Sequence, residues 1–163
     1  MKKYLFLVPA LLFCSINAFG QSVSFNDLVY FANLTNQQVF NNLLEGNRFR
    51  QEYSMDVNGQ ELEYFRSIGK KANSEKIIIG GYTKLENGTV LRTVNYTSTD
   101  AQNIINMIAQ AKRYGLTMKF RGADASNNIY LFDNAFYRVS IYLRRDEKSG
   151  LVEIKQKEFL GLE

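Results

Sequence analysis

The sequence predicts an α+β protein in which helices pack on one face of antiparallel sheet. Three features carry this: helical patterns opened by capping residues, strand-like segments joined by Asn-Gly and Asp-Asn turns, and a spread of tight hairpins that leaves no room for parallel crossovers. The order is helix, helix, four strands, helix, four strands. It suggests two tandem helix-plus-four-stranded units, residues 21–98 and 99–163, which a continuous single domain could also accommodate.

The first twenty residues stand apart. Lys2 and Lys3 precede an apolar run from Tyr4 to Phe13, and a short polar stretch ends at Ala18-Phe19-Gly20, the pattern of a secretory signal peptide cleaved after Gly20. The apolar run is half the roughly 20 residues that a membrane-spanning helix needs, so no integral membrane segment is expected. Cys14 behind Leu11-Leu12-Phe13 offers a lipoprotein alternative, but Phe13 stands where a small residue belongs. The expectation is an exported protein, periplasmic or extracellular.

Cleavage at Gly20 would remove the only cysteine and the only proline. Two of the 20 Lys and Arg lie in the leader, so 18 would remain against 16 Asp and Glu, too even a balance for a dedicated nucleic-acid binder. Without disulfides, a core drawn from about 140 residues must hold the chain together, and that length suffices. Asn33, Asn87 and Asn95 each begin an Asn-x-Thr sequon, a common accident in an Asn-rich chain.

Taken in order, a short helix starts behind Ser24 and carries Phe25, Leu28, Val29 and Phe31. Thr35 with Gln38 reads as a capping box opening a second helix through Val39, Phe40, Leu43 and Leu44, stopped by Gly46. Period-two alternation follows in Phe49, Gln51, Tyr53, Met55 and Val57, and Asn58-Gly59 supplies a tight hairpin turn. After the loop Ser67 to Ser74, Ile77 to Leu85 and Thr89 to Thr97 form a second hairpin around Asn87-Gly88. Thr99 with Gln102 repeats the capping box 64 residues after Thr35, and Ile104, Ile105, Met107, Ile108 and Ala111 run to Gly115. The offset suggests an internal duplication. Leu116, Met118 and Phe120 then alternate, Ile129 to Phe132 and Ala135 to Arg145 flank Asp133-Asn134, and Leu151 to Phe159 closes the chain. This layout resembles that of β-lactamase-inhibitory-type proteins and, more loosely, small envelope proteins with two helices and a short meander. The resemblance is architectural and carries over no contact residue.

Histidine is absent, and cysteine would be absent after cleavage, so a Ser-His-Asp triad, a Cys-His pair and a usual zinc site are excluded. No catalytic residue, metal or cofactor is expected. Three motifs invite chemistry and have bland explanations. Ser67-Ile68-Gly69-Lys70, with Ser126-Asn127-Asn128 and Lys148-Ser149-Gly150, follows the motif order of serine β-lactamases, but on a hydrophilic loop in too short a chain. Asp124-Ala125-Ser126-Asn127-Asn128 begins like a calcium loop, yet Ile129 and Ala135 occupy its glycine and glutamate positions. Glu61 and Glu63 share a strand face at a separation glycosidases use, but on the solvent side of a hairpin they read as a solvated face that discourages edge pairing.

The candidate binding face lies in the second unit. Placing Leu116, Met118, Phe120, Tyr137, Val139, Ile141, Leu143, Val152 and Ile154 against the helix turns Lys119, Arg121, Tyr130, Phe132, Phe136, Arg138, Tyr142 and Arg144 outward. Such aromatic and cationic side chains suit a protein partner. The same aromatics become core if two sheets pack together or the strands curl around their helix. In the first unit, Arg48, Arg50, Glu52, Ser54, Asp56, Glu61 and Glu63 suggest an idle face of mixed charge. The expected function is non-enzymatic binding of a protein, in an inhibitor or immunity role. A structural part of the bacterial envelope is the alternative, and a carboxylate enzyme acting on envelope polysaccharide is a third.

Overall fold

A computed structural model describes residues 23–68 and 75–158. It contains helices α1 (Phe25–Ala32), α2 (Asn36–Leu44) and α3 (Ala101–Arg113). Strands β1 (Phe49–Val57), β2 (Gln60–Ser67), β3 (Glu75–Lys84) and β4 (Val90–Ser98) precede α3, and β5 (Thr117–Ala123), β6 (Asn127–Asp133), β7 (Tyr137–Arg144) and β8 (Gly150–Gln156) follow it. The expected leader with Cys14, and the Gly69-Lys70 part of the serine motif, lie outside the described residues.

All eight strands join one antiparallel sheet in the order β1-β2-β3-β4-β8-β7-β6-β5. Each group of four is a meander, and the two meet where β4 pairs with β8. One row of directly paired residues crosses every strand: Tyr53, Tyr64, Ile78, Asn95, Glu153, Ser140, Leu131, Phe120. The row is symmetric about Asn95 and Glu153, and each meander's first strand carries a register shift beside its outermost member.

The three α-helices among the described residues cover one face. α1 packs on the central strands β4 and β8, α2 on β1 and β3, and α3 chiefly on β7 and β8. Phe25, Leu28, Val39, Phe65, Ile77, Tyr96, Ile104, Met107, Phe132, Ile141 and Ile154 fill the shared core. The Phe25 amide donates to Gln110 Oε1 at 2.7 Å and Asn33 Nδ2 to the Tyr137 hydroxyl at 2.7 Å, tying α1 to α3 and to β7.

The caps follow from local chemistry. Ser24 with Asp27 and Thr35 with Gln38 both form capping boxes. The third cap corrects the expectation at Thr99: Asp100 accepts from the Gln102 amide at 3.0 Å, one residue later. Gln102 turns its side chain along the helix to Asn106 instead of back to the cap. Asn58 and Gly59 both take positive φ, as a tight hairpin requires, whereas at the next hairpin Gly88 alone does.

Candidate binding face

Among the described residues no helix lies on the opposite face of the sheet, and the residues of that face follow from strand pairing, because directly paired residues point to the same side. The central row has a polar middle, Asn95, Glu153 and Ser140, between two apolar wings. Tyr53, Tyr64 and Ile78 form one wing, Leu131 and Phe120 the other. Tyr53 and Tyr64 stack at 4.3 Å with an interplanar angle of 22°. The wings end on the bulged edge strands in exposed rings, Tyr53 at 51% and Phe120 at 49% of full exposure. Met55, at 45%, pairs with Leu62 beside the first wing.

Cations outnumber acids here. Arg50, Arg66 and Lys76 stand directly opposite one another on β1, β2 and β3, and Arg138 pairs across to Lys155. Arg66 is held by Glu52 at 2.6 Å, and Lys155 by Glu153 at 3.0 Å. Asp133 is taken by Lys157 at 2.9 Å. Among the described residues, Arg50, Lys76 and Arg138 have no ion-pair partner.

Register revises the expected face. Of the eight expected residues, Arg138, Tyr142 and Arg144 lie on the helix-free side. Phe132 does not: it pairs with Val139 and Met118 and is fully buried under the helices. Tyr130 pairs with Ile141 on the same covered side, and Arg121 lies over its ring at 5.7 Å. Lys119 is the exposed extra residue of the β5 bulge. Phe136 sits in the turn between β6 and β7. The bulge also sends Phe120 outward rather than into the core, its ring lying across Gly122.

The first meander is corrected likewise. A bulge at Glu52 leaves Phe49 and Gln51 on the covered side and turns Tyr53 and Met55 outward, so this half adds an aromatic and apolar wing to the charges of Arg50, Arg66 and Glu52. Glu63 faces the helices and is buried. Burial, then the charge of Glu61, push its carboxyl above the ordinary range, opposed by a hydrogen bond from Asn36. Glu61 is exposed, which separates the environments of the two glutamates.

The remaining motifs resolve structurally. Asp124 is occupied by its own turn: it accepts from the Ser126 and Asn127 amides at 2.7 and 2.6 Å, and those backbone bonds hold its carboxyl below the usual range. Ser67 is buried and accepts from the Glu75 amide at 3.3 Å. Among the described residues no group of three His, Cys, Asp or Glu could hold a metal ion, and no helix is long and apolar enough to cross a membrane. No family model, curated protein or solved structure matches this chain.

Proposed function

We propose that this is an exported, non-enzymatic binding protein that docks a protein partner on the helix-free face of its sheet, as an inhibitor or immunity protein would. The observation supporting it most is the pair of apolar wings, each ending in an exposed ring, beside cations without carboxylate partners among the described residues. Stiff aromatic rings bury large area at little entropic cost, and cations select an acidic surface. The leader with Lys2, Lys3 and the run Tyr4 to Phe13 supports export.

The test is affinity capture from the source organism's envelope and culture fluid, with a Tyr53→Ala, Arg138→Ala double variant as control. A stoichiometric protein retained by the parent and lost by the folded variant is the expected result. Equal retention by both, or no partner for a folded parent, overturns the proposal.

A further inference from the structure

Across β3, β4, β8 and β7 the helix-free face holds an open groove of about 480 Å³. Lys76 stands on its β3 side and Tyr142 and Arg144 on its β7 side, with Thr97 and Leu151 between. Neighbouring strands lie about 4.8 Å apart, so Lys76 and Tyr142 frame a floor roughly 14 Å wide.

Two features point to the occupant. Like charges directly opposite on neighbouring strands repel, and in the line Arg50, Arg66, Lys76 the Glu52 carboxylate answers Arg66. Lys76 is exposed at the groove with no ion pair among the described residues. The floor beside it is apolar at Leu151 and along the half-buried Tyr142 ring. Among the described residues nothing hydrogen-bonds the Thr97 or Tyr142 hydroxyl. A small free anion would answer the charge and leave that floor uncovered.

We infer that the groove receives an acidic segment of the protein partner, a carboxylate set against Lys76 and an adjoining apolar side chain resting on Leu151 and Tyr142. This inference rests on the face being a protein-binding surface and adds the chemistry it selects.

The experiment titrates ¹⁵N-labelled protein with acetyl-Asp-Phe-Glu-Leu-Asp-amide and with its neutral counterpart acetyl-Asn-Phe-Gln-Leu-Asn-amide. The acidic peptide should saturably shift the amide resonances of Lys76, Thr97, Tyr142 and Leu151, with an affinity at least about ten-fold above the neutral one. Lys76→Gln should abolish that preference, while Lys112→Gln, on the exposed last turn of α3, should leave it unchanged. Equal affinities, a preference surviving Lys76→Gln, or shifts spread equally to Lys112 overturn the groove assignment. Shifts confined to Tyr53, Tyr64 and Phe120 also overturn it but leave the wider face intact. The face reading fails separately, when a captured partner survives Tyr53→Ala, Arg138→Ala.

Discussion

Phe132 and Arg138 stand six residues apart and do opposite work. Phe132 is fully buried between Val139 and Met118, so Phe132→Ala should cost about 3–5 kcal/mol of stability. Arg138, exposed and without an ion pair among the described residues, should tolerate alanine within about 0.5 kcal/mol. Urea unfolding of both variants checks the face assignment, and comparable losses would contradict it. Glu63 gives a pH signature. Its folded pKa is raised, so the folded state binds the proton more tightly than the unfolded chain, whose value is near 4.5. Its stabilising contribution is complete below that value and is lost as pH rises through the folded pKa. Glu63→Gln should therefore exceed the parent in stability at pH 7, with the gap closing toward pH 4, in urea melts at both values. A gap independent of pH would contradict the burial effect. Gly80 is constrained differently: its φ is +123°, and a Cβ there would lie 2.3 Å from the Glu61 carbonyl oxygen. Gly80→Ala should cost more than about 1 kcal/mol by the same assay.

The elements themselves were legible where local chemistry decides them. Ser24 and Thr35 cap as their side chains allow, and Asn58-Gly59 makes its hairpin turn. At α3 two adjacent residues could cap, and the carboxylate of Asp100 takes the position. Asp100→Ala should cost about 1 kcal/mol and Thr99→Ala close to nothing, measured by thermal or urea unfolding. Strand faces were harder to read. Ile129-Tyr130-Leu131-Phe132 is apolar at every position, so no alternation tells inside from outside, and register alone puts Phe132 in the core. The bulges at Glu52 and Lys119 each reverse the side-chain parity of an edge strand, and neither has a local signature such as a glycine. Both bulges place a charged residue on an open sheet edge, where it discourages pairing with another chain.

At the scale of the molecule, the pairing of β4 with β8 turns two meanders into one surface, and no pattern within either strand announces that pairing. Its consequence is a face whose wings come from residues 67 apart, Tyr53 and Phe120, with the groove near the junction. The expected α+β class and the helices on one face are what the structure contains; the composition of the opposite face emerges from register. Exposed side chains on both faces allow a direct test of where a partner sits. Tyr53, Met55 and Phe120 on the helix-free face have exposures of 51%, 45% and 49%, and Tyr30 and Tyr114 on the helical side have 53% and 41%. Hydroxyl-radical footprinting of the protein alone and in its captured complex reads all five at once. Protection of Tyr53, Met55 and Phe120 with Tyr30 and Tyr114 unchanged is the predicted result, and protection of Tyr30 and Tyr114 with the other three still reactive would contradict the account.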